Sequence, residues 1–285
     1  MAKRLAGIVA AIAGLLGAGT ASAAGDWPLP IFDTHMHYSQ PAWAAYPPAA
    51  VVKAMDEAGV PRALVSSTPD DGTLALYRHD PSRFAPELRP YREGVGLSNW
   101  TAAPGTVEYI DERLRIGGYK GIGEFHLHGE EQERTPIMRA VIDRAVQHGL
   151  YLHIHSGAGP IRAVYAVSPN VKVLWAHAGM SEPAAVVGEM LGRYPTLVTE
   201  VSFRAGDIGA GGLDPAWKEV LLAYFERIMI GTDTYVPARW GDYKRLIEEH
   251  RAYLYKLPRE AAEAIAYKNA VRLFGDGGRK EFLPR

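Results

Sequence analysis

The 285-residue sequence contains no cysteine. Disulfide bridges and thiolate metal centres are therefore excluded, and any transition-metal site must use nitrogen and oxygen ligands. Excess charge is missing too: the formal net charge is −1, with no basic run and no low-complexity tract. A general nucleic-acid binder, which would carry a basic stripe, is not expected. No internal repeat or dividing linker is evident. The paired arginines of a twin-arginine export signal are absent, and the N-terminal apolar segment is short of the roughly 20 residues of a bilayer span.

That N-terminal segment is unlike the rest of the chain. Lys3-Arg4 precede an apolar stretch from Leu5 to Leu16, and Ala21-Ser22-Ala23 reads as a small-residue cleavage site. The expectation is a cleavable signal peptide over 1–23 and a single domain over 24–285. The mature protein is then periplasmic or secreted, exported unfolded and loaded with any metal afterwards. No stable membrane anchor remains after cleavage. Without disulfides its stability rests on the core, and 47% hydrophobic content is sufficient for one.

Beyond the leader, strand-like and helix-like segments alternate. Strands are expected at Ile31–His37, Arg62–Ser67, Tyr91–Leu97, Gly121–Leu127, Tyr151–Ser156, Val171–Ala176, Thr196–Ser202 and Arg227–Thr232. Helical periodicity fills the intervals; in Pro48–Gly59, for example, Val51, Val52, Met55 and Ala58 share a face and Gly59 is the stop. A final helix is expected over Arg259–Phe274. Such alternation implies a parallel sheet with helical crossovers. Eight units in about 250 residues fit a closed (β/α)₈ TIM barrel with an additional C-terminal helix. An open doubly wound sheet is the rival, and no Gly-x-Gly-x-x-Gly follows the first strand to support it.

In a barrel the carboxyl ends of the strands surround the active site, so polar residues there carry the functional signal. The first strand closes on Asp33-Thr34-His35-Met36-His37, whose two imidazoles lie on one side of an extended chain. The fourth ends in Glu124 and His126, the fifth in His153 and His155, the sixth in His177. The seventh carries Glu200 near its middle with Arg204 beyond, and the eighth ends in Asp233. Six of the ten histidines thus fall at strand ends. Any one of them reads as a hydrogen-bonded barrel histidine; all together on one rim point to a divalent metal held by imidazole and carboxylate.

These motifs resemble the amidohydrolase superfamily of metal-dependent TIM-barrel hydrolases, and in particular its amidohydrolase-related branch, which also includes decarboxylases. The likeness rests on Phe32-Asp33-Thr34-His35-Met36-His37, Leu152-His153-Ile154-His155-Ser156-Gly157, Trp175-Ala176-His177-Ala178-Gly179, Gly231-Thr232-Asp233 and the closing Asn269-Ala270-Val271-Arg272-Leu273-Phe274. The resemblance implies that His35, His37, His155 and Asp233 are metal ligands and that Asp233 is also the general base. It makes His177 either a ligand of a second metal or the residue that positions water. His153, set deeper by its register, is the lesser candidate. Where binuclear members often place a carboxylated lysine, this chain has Glu124, which resembles the metal-dependent deoxyribonuclease-like branch and could support a second metal, bind substrate or orient His126. Zinc is the expected ion, with manganese, iron and nickel compatible, and one or two ions are open.

The implied chemistry is attack of metal-activated water on a small amide, ester or lactone. A nonoxidative decarboxylase on the same site and a non-catalytic metal- or ligand-binding barrel are the alternatives. The partner is a small-molecule substrate, with self-association into a homo-oligomer left open. Candidates for substrate contact are His126, Arg204, Tyr235, Arg239 and Trp240, with Trp43, Tyr46 and His128 around them; either arginine could hold a carboxylate or phosphate, or be structural.

Overall fold

The computed structural model describes residues 29–129 and 135–275; the expected leader lies outside them. Eight strands follow one another around a single sheet, β1 (Phe32–His37), β2 (Arg62–Ser66), β3 (Phe84–Leu88), β4 (Gly121–His126), β5 (Tyr151–His155), β6 (Lys172–Trp175), β7 (Leu197–Glu200) and β8 (Ile228–Met229). Every neighbouring pair from β1–β2 to β7–β8 is parallel. A parallel bridge between Asp33 and Ile230, just past β8, joins the last strand to the first. The described chain is therefore an eight-stranded α/β barrel whose closing seam is short. Among the described residues no helix is long and apolar enough to cross a membrane.

The outer helices are α1 (Pro48–Ala58), α2 (Asp71–His79), α3 (Thr106–Leu114), α4 (Pro136–His148), α5 (Ala158–Val167), α6 (Ala184–Arg193), α7 (Ala205–Gly209), α8 (Pro215–Ala223), α9 (Pro237–Gly241) and α10 (Tyr243–Leu254). Their limits follow local chemistry. Thr135 Oγ1 accepts the Met138 amide at the start of α4, Pro136 occupies the first turn, and Gly149 stops the helix at φ +67°. Asp214 caps α8 in the same way. The buried faces, such as Val51, Met55 and Ala58 on α1, pack against the outer side of the strands in one continuous apolar layer.

The third strand corrects the sequence expectation. It is Phe84–Leu88, not Tyr91–Leu97, and it carries Pro86 and the buried Glu87. A proline and an acid within five residues disguise a strand, yet Glu87 points into the barrel and meets His153 Nδ1 at 2.9 Å. Tyr91 lies beyond the strand and is buried.

Inside the barrel, Phe32, Leu64, Ala85, Leu174, Val198 and Met229 form an apolar cluster with Ala270 and Phe274. The last two belong to the C-terminal helical segment, α11 (Arg259–Glu263) and α12 (Asn269–Phe274) joined by a π-helical turn over Ala264–Lys268. This segment closes the end of the barrel where the strands begin. Asn269 Nδ2 donates to the carbonyls of Phe225 (2.6 Å) and Ile228 (2.9 Å), fixing the helix to the entry of β8.

At the other end, two register irregularities re-aim side chains. The β1–β2 pairing shifts between Asp33 and Met36, and the β4–β5 pairing between Ile122 and Phe125. Each break changes the alternation, so that Phe32 and then His35 and His37, and likewise Gly121 and then Glu124, face inward. Gly123 is required at the second break: a Cβ there would sit 2.3 Å from the His153 carbonyl oxygen.

Candidate active site

The side chains that converge at the strand ends are fixed from behind. His37 Nδ1 donates to the Ser66 carbonyl at 2.7 Å, and His35 Nδ1 to Glu200 Oε1 at 2.9 Å. Each imidazole thereby turns its Nε2 forward, into the site. Those two atoms lie 3.1 Å apart. His37 Nε2 is 3.2 Å from Glu124 Oε2 and 3.3 Å from Asp233 Oδ1; His35 Nε2 is 3.6 Å and 3.8 Å from the same two oxygens. Four ligand atoms around one zinc-sized ion, at about 2.0–2.2 Å each, would be separated by roughly 3.4 Å. The donor set thus fits a divalent cation by separation and by chemistry, because imidazole nitrogens and carboxylate oxygens converge on one point.

A second group shares Glu124. Its Oε1 is 2.8 Å from His155 Nδ1 and 3.4 Å from His177 Nε2, and the last two atoms are 3.1 Å apart. His155, expected beside the His35–His37 pair, thus faces the other carboxylate oxygen and His177. His177 Nδ1 pairs with Ser202 Oγ at 2.7 Å. The ligand atoms of His35, His37 and Glu124, of His35, His177 and Asp233, and of Glu124, His126 and His155 each lie within 4.8 Å of one another.

The electrostatics follow from burial of opposed groups. Burial alone would lower the pKa of His35, but the carboxylates of Asp233, Glu124 and Glu200 outweigh it and raise it well above the usual value. Burial and then the Arg89 guanidinium lower that of His37. Burial would raise Glu124, yet His35, His155 and His177 hold it well below the ordinary carboxylate range. Arg89 also braces Glu124, donating to its carbonyl at 2.9 Å and to Oε2 at 3.0 Å.

Asp233 sits at φ +50°, its amide donating to the His35 carbonyl at 2.6 Å. Two neighbours hold the surrounding loop. Asp33 Oδ1 accepts the amides of His35 and Thr232, and Oδ2 accepts Thr232 Oγ1 at 2.6 Å and the Tyr243 hydroxyl at 3.0 Å. Gly231 allows Glu200 its place, since a Cβ there would lie 2.3 Å from Glu200 Oε2. Glu200 is the last residue of β7 rather than its middle, fully buried, and also accepts the amides of His177 and Ser202 at 2.6 Å each.

The expected substrate contacts separate into three groups. His126 does reach the site: its ring stacks on His155 with centroids 4.2 Å apart, Nδ1 meets the Tyr91 hydroxyl at 3.0 Å, and burial lowers its pKa to about 3. Tyr235 stands 52% exposed, 6.3 Å from Phe203. The other three are engaged in the scaffold. Trp240 is buried and stacked on Tyr243. Arg204 donates to the carbonyls of Met180 and Glu182 and pairs with Asp207. Arg239 donates to the carbonyls of Asp233 and Thr232 at 2.6 Å each. A cavity of about 210 Å³ lined by Phe203, Gly231, Thr232, Arg239 and His250 abuts the outer side of this loop and contains none of the convergent ligand atoms.

A family model described as amidohydrolase matches residues 32–275, the whole barrel. The chain belongs to the amidohydrolase family. No curated protein matches it. Solved structures similar to this amidohydrolase show the same fold at low identity. A TatD homologue from Escherichia coli is 18% identical, with 87% of this chain and 99% of that chain covered and a TM-score of 0.62. A probable 2-pyrone-4,6-dicarboxylic acid hydrolase from Acinetobacter baumannii is 14% identical (86% and 99% covered, TM-score 0.56). A 5-carboxyvanillate decarboxylase from Novosphingobium aromaticivorans, solved with manganese, is 13% identical (86% and 96% covered, TM-score 0.56). The same fold thus occurs in proteins described as a hydrolase and as a decarboxylase, and the buried His, Asp and Glu clusters of this chain suggest a divalent metal site.

Sequence reasoning missed Arg89, because the strand before it was misplaced, and the supporting roles of Ser66, Asp33 and Ser202. Asp33 could have been found: it sits in the same motif as the histidines, and an acid two residues before a His-x-His at a strand end has only buried partners available.

Proposed function

We propose that the protein is a metal-dependent hydrolase that adds water to a small amide, ester or lactone. The observation that carries this reading is Asp233 Oδ1. It is buried, has no hydrogen-bond partner among the described residues, and lies against the Nε2 atoms of His35 and His37. A buried carboxylate oxygen left unpaired beside two imidazole nitrogens calls for a cation.

His35, His37 and Asp233 would hold one ion, and His155 and His177 a second, with Glu124 shared through its two oxygens. This arrangement supports two ions rather than one. Zinc suits such imidazole and carboxylate donors, as do manganese, iron and nickel. The bound ion would supply Lewis acidity and bring the pKa of water near neutrality.

The chain supplies the rest. Asp233 accepts a proton from the attacking water as the water oxygen bonds to the carbonyl carbon. When the bond to the leaving oxygen or nitrogen breaks, Asp233 returns that proton to it. Arg239 and the His35 carbonyl hold the Asp233 backbone, so the base stays aligned. If only one ion binds, His177 Nε2 is free to stabilise the developing oxyanion, with Ser202 fixing its ring. The leader supports export and metal loading outside the cytoplasm.

The test is metal analysis of the purified mature protein with an ester, lactone and amide panel. The expected outcome is two ions per chain, about one in Glu124→Gln, and turnover that chelation abolishes. Carbon dioxide release from aromatic acids without hydrolysis would establish the decarboxylase instead. Bound metal with neither activity would establish a binding protein.

A further inference from the structure

Resting on the hydrolytic reading, we infer that His126 is a catalytic residue whose Nε2–H donates to the oxygen of the substrate carbonyl, and that the Tyr91 hydroxyl positions that proton. Tyr91 lies just past β3 and is buried, with the Arg89 guanidinium 4.6 Å from its ring centroid. Its hydroxyl accepts the His126 amide at 2.8 Å and lies 3.0 Å from His126 Nδ1. Among the described residues it has no other partner. If Nδ1 carried the ring proton, the hydroxyl would accept twice and bury its own hydrogen without an acceptor, which is costly. The pairing that satisfies every group runs from the hydroxyl to Nδ1. Burial outweighs the nearby Arg89 and raises the pKa of Tyr91, so the hydroxyl keeps the hydrogen this bond uses. The imidazole is then neutral, with its hydrogen on Nε2.

That hydrogen is available to a substrate. His126 is half-buried, and its Nε2 is neither buried nor partnered among the described residues. The ring stacks on His155 with centroids 4.2 Å apart and planes 21° apart. One of its nitrogens lies within 4.8 Å of ligand atoms of Glu124 and His155. Trp100 Nε1 donates to the His126 carbonyl at 2.9 Å, so the backbone is fixed as well as the ring. A protonated Nε2 cannot ligate an ion, and Nδ1 is taken by Tyr91. His126 therefore stands beside the ligands proposed for the second ion as a donor, not as one of them. With His177 drawn into that ligand set, His126 is the imidazole left to face the carbonyl. As water attacks, the carbonyl π electrons move onto oxygen and the hydrogen bond from Nε2 strengthens, with no proton transferred.

The experiment compares His126→Gln, which keeps an N–H near the Nε2 position, with His126→Met, which has a similar shape and no donor, both metal-loaded. The probe is phenyl acetate, or the best ester, lactone or amide of the panel should phenyl acetate be inert. The expected kcat falls by about 10²- to 10³-fold in His126→Met and by about tenfold or less in His126→Gln, with KM little changed in either. Tyr91→Phe should lower kcat by about 10- to 100-fold. Long-range proton–nitrogen NMR spectra of zinc-loaded protein carrying isotope-labelled histidine should show His126 protonated at Nε2 in wild type and a mixture of tautomers in Tyr91→Phe. A wild-type proton on Nδ1 would overturn the inference, as would equal kcat in the two His126 variants or an effect on KM alone. Loss of an ion in His126→Met would make His126 a ligand and overturn it too. Should the variants not fold, saturating acetophenone must move the wild-type Nε2 signal, and an unmoved signal overturns the donor role. If nothing is hydrolysed, the hydrolytic reading fails and the catalytic role falls with it, while the spectra still decide where Tyr91 places the proton.

Discussion

The two ends of the barrel interior are built from the same strands and do opposite things. On β2, β3 and β7 the inward positions read Leu64 then Ser66, Ala85 then Glu87, Val198 then Glu200. The first member of each pair joins the apolar cluster closed by Ala270 and Phe274; the second joins the hydrogen-bond network behind the convergent ligands. Two residues along a strand, about 6.6 Å, separate a layer that holds the fold from a layer that holds the chemistry. The lower layer needs nothing beyond itself. The upper layer is left with the unpaired Asp233 Oδ1 among crowded imidazoles, and its stability depends on what enters it.

Substitutions that affect one layer and not the other test this division. The largest effect is expected for Asp233→Asn, which keeps the shape and removes the base. Turnover should fall by about 10²- to 10⁴-fold with little change in thermal melting, and full activity in this variant would sink the mechanism. Next is Phe274→Ala in the lower layer, expected to destabilise by about 3–5 kcal/mol in denaturant melts while leaving metal affinity measured by chelator competition unchanged; a parallel loss of affinity would show the layers to be coupled. Glu200→Gln probes the boundary. The amide cannot accept the His35 proton as the carboxylate does, so metal affinity should weaken by about 10- to 100-fold in a protein that still folds.

The smallest effect concerns a carboxylate outside both layers. Asp70, like Asp233, has a buried oxygen without a partner, but its neighbours are the Tyr119 hydroxyl and Arg113 rather than imidazoles. Burial raises its pKa from 3.8 to about 6. The folded state then binds the proton more tightly than the unfolded state. Its contribution to stability is full below pH 3.8 and is lost as pH rises through about 6. Asp70→Asn should be more stable than wild type at pH 7 by up to about 3 kcal/mol, and the difference should vanish near pH 4. A constant difference across that range would mean that Asp70 is not protonated in the fold.

Much of the upper layer was legible in the sequence because its side chains have few other uses at strand ends. His35, His37, Glu124, His155, His177 and Asp233 were expected on one rim, and the fold brings all six together. The lower layer was less visible, since Ala85 and Val198 are ordinary strand residues until Phe274 is known to meet them. Pro86 hid β3 and with it Arg89 and Glu87. The arginines misled for a different reason. A guanidinium at a loop reads the same whether it faces a ligand or a backbone carbonyl, and only the fold puts Arg204 on the carbonyls of Met180 and Glu182 and Arg239 on those of Thr232 and Asp233. Trp240 likewise reads as a pocket wall or as core, and packing on Tyr243 makes it core.

The clasp of Asp33 on Thr232 joins residues 199 positions apart. His35 and Asp233 lie beside its two halves, so the ligand set is incomplete until the first and last strands meet. A chain clipped before its last strand would carry the histidine pair without Asp233. The convergence of the ligand set is thereby tied to closure of the seam between the two ends of the barrel sequence.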